Sequence, residues 1–261
     1  MAAGLASALI AAGGCDRAAR ETTSAGDGER GDLTVFAAAS LTNVLGDFET
    51  IFERRNAVDI RSSYGASSDL ARQIADGAPA DLYLSASKTW IEKLEKESWL
   101  DGSYVAVARN RLVCIAAAGA PPLDPAPTGL RALYDDIVRS GWRVAVADEG
   151  VPAGDYARQA MKSVGLLDGY KPKFVGQKDA RAVLKAVASG ELPVGFVYVT
   201  DARSASVTVL FEVDSNLHDP IEYYAAVVSG SPNEDTARKY IELLRAGAGR
   251  GVFEARGFGL P

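Results

Sequence analysis

Histidine is nearly absent from this sequence, and that scarcity removes most metal and acid–base chemistry at the outset. One histidine, His218, and two cysteines, Cys15 and Cys114, leave too little nitrogen and sulfur for a zinc-type site. A serine nucleophile would have that single imidazole to draw on. His218 lies in "SNLHDPIEYY", beside a proline, and no G-x-S-x-G elbow surrounds Ser40 or Ser67, the serines singled out below. Cationic charge is also in short supply. Lys and Arg number 28 against 34 Asp and Glu, a net charge of −6 with no basic patch, so nucleic acid is not an expected partner. The carboxylate pairs Asp135-Asp136 and Glu234-Asp235 fall on helix faces or at a helix start, where solvated charge is the ordinary role. Long apolar runs are missing too. Residues 1–14, "MAAGLASALIAAGG", come nearest and are too short to span a bilayer.

That first segment has the small, apolar character of a secretory h-region. It ends in "AAGGC", which resembles the lipobox of bacterial lipoproteins, where cleavage leaves the cysteine, here Cys15, as the lipidated first residue. No Lys or Arg precedes the run, a departure from the usual signal. An ordinary cleaved signal with Cys15 incidental is the alternative, and either way the mature protein is expected to be exported. Residues 16–32, "DRAARETTSAGDGERGD", have almost nothing to bury and read as a disordered tether. Cys114 sits in the apolar "RLVCIAAA" and reads as a buried, inert thiol, with no disulfide to Cys15 expected.

The rest of the 261 residues is long enough for two domains. Short apolar runs predict strands at 33–39, 58–64, 81–87, 111–118, 143–148, 173–176, 194–199, 207–213 and 221–228. Helical patterns lie between most of them. From Thr42 to Arg55, for example, Val44, Leu45, Phe48, Ile51 and Phe52 recur on one stripe. This alternation predicts an α/β protein with mainly parallel strands, divided into two α/β lobes.

Four strand-to-helix junctions share a style. They are "AAASLTN" with Ser40 and Thr42, "YGASSDLARQ" with Ser67 and Ser68, "EGVPAGDYARQ" with Pro152, Ala153 and Gly154, and "GQKDARAVL" with Asp179 before Ala180. Each follows the C-terminal end of an expected strand, where open α/β sheets bind ligands. A helix start offers unpaired N–H groups and the positive end of the macrodipole, and small residues let a ligand come close to the backbone. Several such starts converging on one point would hold an anion without Lys or Arg. Read singly, each junction is also what simple helix capping would produce.

Together "LTVFAAASLTNVLGDF", "SSYGASSDLARQIADGAPADLYLSAS", "VPAGDYARQAM", "GFVYVTDA" and "VFEARGFG" resemble the periplasmic molybdate-binding proteins of ABC transporters, over roughly residues 33 to 258. The resemblance implies a two-lobed type II periplasmic binding protein fold with the ligand cleft between the lobes. It implies that Ser40 and Ser67 each offer a hydroxyl and a backbone N–H, Ala153 and Ala180 a backbone N–H, and Tyr198 its phenol. Ala66 stands where members often have another serine, and Ser68 competes with Ser67 as the second-loop hydroxyl. The lobes would be 33–110 with 219–261, and 111–218, hinged near "RNRLV" and "HDPIEYY". Tyr223 and Tyr224 read as strand packing residues. Further implications are molybdate or tungstate as ligand, no cofactor, no direct protein ligand to molybdenum, a monomer, and delivery to a membrane permease.

Molybdate and sulfate are both tetrahedral dianions, so charge cannot separate them. A rigid cage sized for the larger ion leaves donors unpaired around the smaller one, at a cost of about 1–3 kcal/mol each. Tungstate, nearly the size of molybdate, would bind alongside it. The alternatives are a tungstate-, sulfate- or phosphate-specific binder, a serine-based hydrolytic enzyme, and a regulator's effector domain. An export signal and the lack of a DNA-binding segment count against the last. Cys15→Ser is expected to abolish incorporation of a radiolabelled fatty acid in cells. Persistent labelling of the variant would refute the lipobox reading.

Overall fold

The alternating apolar runs assemble into two five-stranded sheets. The computed structural model describes residues 31–119 and 125–261. The expected export signal, Cys15 and tether residues 16–30 lie outside the described residues. The strands are β1 (Gly31–Ala38), β2 (Val58–Gly65), β3 (Leu82–Ser85), β4 (Leu100–Arg109), β5 (Leu112–Ala117), β6 (Val144–Ala147), β7 (Phe174–Gln177), β8 (Val194–Tyr198), β9 (Val207–Glu212) and β10 (Glu222–Val228). One sheet has the order β2-β1-β3-β10-β4 and the other β7-β6-β8-β5-β9. The helices are α1 (Thr42–Asn56), α2 (Ser67–Ala75), α3 (Lys88–Lys96), α4 (Leu130–Ser140), α5 (Pro152–Ser163), α6 (Leu167–Tyr170), α7 (Ala180–Ala188), α8 (Val199–Ala202), α9 (Glu234–Arg245) and α10 (Gly247–Ala255). A 3-10 turn, Ala39–Leu41, leads into α1.

The expectation of mainly parallel strands needs correction. β1 pairs parallel with β2 and β3, and β6 with β7 and β8. β10 runs antiparallel to both β3 and β4, and β5 to both β8 and β9. Each sheet therefore holds one reversed strand. That strand is the one the chain enters on changing sheets, β5 after the crossover at 110–111 and β10 after the crossover at 213–221. Inserting the incoming strand between two existing neighbours interlocks the sheets, and apolar periodicity carries no record of strand direction. The two crossovers also touch, with Asn110 N–H donating to Ile221 O at 2.9 Å.

Four elements went unread, β4, α10 and the one-turn helices α6 and α8. β4 opens on Leu-Asp-Gly-Ser and lies half exposed at a sheet edge, and its apolar run, residues 104–108, was passed over in the reading of the sequence. α10 begins in "GAGRG", which has no apolar period. Elsewhere the pattern and the packing agree. Phe48 and Phe52 of α1 close on Tyr240 of α9, with ring centroids 4.9 and 5.2 Å from it. Cys114 is fully buried in β5 as a free thiol whose pKa burial pushes up, so it stays protonated. No helix among the described residues is long and apolar enough to cross a membrane.

Because β1, β2 and β3 share one direction, as do β6, β7 and β8, their C-terminal ends gather at one edge of each sheet. The junctions after β1, β2, β6 and β7, and Tyr198 ending β8, sit on those edges. The reversed β10 brings its first residues there as well, with Tyr224 in register with Ser85, the last residue of β3.

Candidate oxyanion site

Three of the four junction helices start without a capping side chain. The residues preceding the first turns are Ala38, Ala66 and Val151, none of which has a side-chain oxygen to offer. Only Asp179 caps in the ordinary way, its carboxylate accepting from Ala182 N–H at 2.8 Å. The serines stand one or two residues further on, inside the first turns. Helix starts have no intrahelical acceptors for their first N–H groups. At three of these junctions those groups are left for something other than the helix itself.

All five expected donors border one small cavity. Ala38, Ala39 and Ser40 form one wall, Gly65, Ala66 and Ser67 a second, and Val151, Pro152 and Ala153 a third, with Asp179, Ala180, Tyr198 and Ala86 completing it. The space open to the centre of a water-sized sphere is about 20 Å3. Organic ligands occupy pockets of roughly 300–1,000 Å3, so a space this small accommodates only an ion of a few atoms. Ser40, Ser67 and Tyr198 are buried, 3%, 1% and 1% exposed.

Each donor is aimed by its surroundings. Ser67 Oγ accepts from Ala86 N–H at 3.0 Å, and its carbonyl accepts from Tyr83 Oη at 2.8 Å. An N–H can only donate, so the Ser67 proton is free to point into the cavity. Ser68, its competitor, does not border the cavity, and its buried Oγ has no partner among the described residues. Tyr198 Oη is likewise buried without a partner. Burial pushes its pKa well up, which keeps its proton available. Gly154 fixes the approach of α5. A Cβ there would lie 2.0 Å from Ala147 O, so only glycine lets the Ala153 turn sit against the end of β6. Two contacts from one half to the other bracket the cavity, Trp90 Nε1 donating to Gly150 O at 2.8 Å and Tyr156 Oη donating to Ala86 O at 3.3 Å.

No cationic side chain borders this cavity. Arg181, Arg203 and Arg256 line a neighbouring hollow of about 160 Å3 that shares Ser40. Arg256 is engaged by Asp47 at 2.6 Å, and Arg181 Nε lies 2.7 Å from Asp201 Oδ1. A larger cleft of about 630 Å3 shares Pro152 but presents Glu92, Asp155, Asp219 and Glu222 against Lys88 alone, which disfavours an anion. His218 is half-buried in the crossover, its Nδ1 2.7 Å from Asp219 O and its ring against Tyr156. No group of three or more metal-ligating side chains occurs among the described residues.

Two features escaped the sequence reading. Tyr223, expected to serve only packing, places its Oη 2.9 Å from Ser40 Oγ. The packing role is real, since its ring meets Phe258 and Tyr198, but the hydroxyl is directed at the site. Asp201 is fully buried, and its pairing with Arg181 ties the residue after Ala180 to the turn after Tyr198.

The match to the family described as bacterial extracellular solute-binding protein covers residues 33–259. The molybdate-binding protein ModA of Escherichia coli (strain K12) is 36% identical over 236 residues, covering 88% of this chain and 90% of that protein. The ModA of Haemophilus influenzae is 33% identical over 239 residues, covering 87% and 89%. The solved structure of the periplasmic molybdate-binding protein of Azotobacter vinelandii superposes with a TM-score of 0.76 at 22% identity, covering 88% of this chain and 99% of that one, which supports the likeness of fold.

Asp201 generates a test of pH dependence. Burial pushes its carboxyl up to about 6, and Arg181 beside it offsets only part of that. A carboxyl with a folded value above its unfolded value gives stability that is fully present below about pH 4 and lost as pH rises through about 6. In urea unfolding from pH 4 to 7, the protein should lose on the order of 1–3 kcal/mol relative to Asp201→Asn. A constant difference would show that Asp201 titrates as an ordinary carboxylate.

Proposed function

The chain belongs to the bacterial extracellular solute-binding protein family, and from that premise we propose that it captures molybdate and hands it to an ABC permease. One observation carries the reading. Ser40, Ser67, Ala153, Ala180 and Tyr198, drawn from both sheets, border a single cavity of about 20 Å3 that has no cationic side chain. Hydrogen bonds to a charged oxygen are strong without a counter-ion, so neutral donors suffice for a dianion. They also leave no buried, unpaired cation in the closed site when it is empty.

Ser40 and Ser67 supply hydroxyl and backbone N–H donors, Ala153 and Ala180 backbone N–H donors, and Tyr198 its phenol. Residues 33–110 with 219–261 form one lobe and 111–218 the other, moving about the crossovers at 110–111 and 213–221. Tungstate shares the site. The protein acts as a monomer and has no catalytic role. It is exported, periplasmic or at the cell surface, and is held at the membrane through lipid on Cys15. The names and coverage of the curated relatives support the ligand class.

Titration calorimetry tests this directly. Molybdate and tungstate should bind one to one and compete, with sulfate and phosphate at least about tenfold weaker, since each donor left unpaired costs about 1–3 kcal/mol. Heat with sulfate or phosphate but none with molybdate would keep the anion site and retire molybdate. Ser40→Ala should weaken molybdate binding by about 1.5–3 kcal/mol. Unchanged affinity would remove Ser40 from the site.

A further inference from the structure

Ser67 is held as a donor by a backbone N–H, whereas Ser40 has no such neighbour. Its Oγ lies 2.9 Å from Tyr223 Oη, a contact in which either oxygen could donate. If Ser40 donated to Tyr223, its hydroxyl would be lost to an anion in the cavity. The direction of that bond is settled one residue further out. Arg111 N–H donates to Asn110 Oδ1 at 2.9 Å. A backbone N–H cannot accept, so the Asn110 amide has only one orientation, with Nδ2 on the opposite side. Nδ2 then donates to Thr200 Oγ1 at 2.9 Å and to Tyr223 Oη at 3.1 Å. Tyr223 Oη receives that proton and must direct its own elsewhere. Tyr223 is fully buried, and among the described residues Ser40 Oγ is the acceptor within reach.

We infer that Asn110 and Tyr223 form a hydrogen-bond relay that fixes Ser40 as a donor toward the bound oxyanion. The order is Arg111 N–H to Asn110 Oδ1, Asn110 Nδ2 to Tyr223 Oη, Tyr223 O–H to Ser40 Oγ, and Ser40 O–H into the cavity. Each bond polarises the next, so the last hydroxyl is a stronger donor than an isolated serine. Burial raises the Tyr223 pKa, so the phenol keeps the proton that the relay needs. Asn110 and Tyr223 are positioning residues, since neither borders the cavity. Both sit where the chain changes sheets, Asn110 between β4 and β5 and Tyr223 at the start of β10. Asn110 also holds Thr200, two residues past Tyr198. The relay therefore links the crossovers to donors on both sides of the cavity, and any hinge movement that parts Asn110 from Tyr223 releases Ser40 from its donor role. Sequence alone could not have placed this device, because the residues concerned lie 183 and 113 positions apart.

The inference rests on the proposed oxyanion site, and a double-mutant cycle separates the two. Molybdate affinity of the full exported protein is measured for Tyr223→Phe, Ser40→Ala and the double variant, with thermal unfolding of each without added anion as the check on folding. Tyr223→Phe should weaken binding several-fold in the native background, because Ser40 keeps its hydroxyl but loses the bond that aims and polarises it. In the Ser40→Ala background it should change binding by less than about twofold, because the hydroxyl it serves is gone. An equal loss in both backgrounds would overturn the relay and leave Tyr223 a packing residue. So would an unchanged affinity for Tyr223→Phe alone while Ser40→Ala weakens binding. Silence of Ser40→Ala itself would remove the oxyanion site as drawn, and the relay with it. Should Tyr223→Phe not fold, Asn110→Ala in the same two backgrounds reads the same coupling.

Discussion

Backbone N–H groups that no helix can satisfy are the constraint around which this protein is arranged. A helix start normally recruits a serine, threonine or aspartate to cap its first turn. At three junctions here the capping position holds alanine or valine, and the hydroxyls stand deeper in the turn. Buried donors without partners cost about 1–3 kcal/mol each, a cost the proposed ligand would offset. The small side chains, the single glycine that lets α5 touch β6, and the absence of lysine or arginine from the cavity all follow from aiming those groups at one point.

Serine works in this site because its surroundings restrict what its hydroxyl can do. Ser67 is made to accept from Ala86, and the inferred relay makes Ser40 accept from Tyr223. In each case the proton is left over for the cavity. A hydroxyl is an ambivalent group, donor and acceptor at once, and an anion site needs donors only. The surrounding bonds remove that ambivalence, as the proposed anion cage requires. The bonds behind Ser40 run to Asn110 and Tyr223, where the chain passes between sheets, so the placement of that hydroxyl and of the two halves is set by shared contacts.

Charge is kept at a distance by the same logic. Arg181 and Arg256 stand in the neighbouring hollow and are occupied by Asp201 and Asp47. The Arg181–Asp201 pair joins the residue after Ala180 to the turn after Tyr198, and so steadies two of the donors without placing a cation among them. A buried pair of this kind adds little net stability. Its effect is on where the two turns sit.

The sequence by itself determined the alternation of strand and helix, the small residues at the junctions, and the donors that resemble a known anion cage. These are local matters, since apolar periodicity, turn chemistry and short motifs are written within a few residues of one another. It could not decide the reversed strands β5 and β10, because an apolar run reads the same in either direction. It missed β4, whose apolar run, residues 104–108, follows the polar opening Asp-Gly-Ser on an exposed sheet edge. It also read Tyr223 as packing and assigned Asn110 no role beyond the hinge segment. Only the tertiary structure brought Ala38, Ala66, Val151 and Tyr198 to one cavity and set Asn110 and Tyr223 behind Ser40. Convergence of that kind depends on sheet topology and on which neighbour each hydroxyl meets, and neither is encoded at short range.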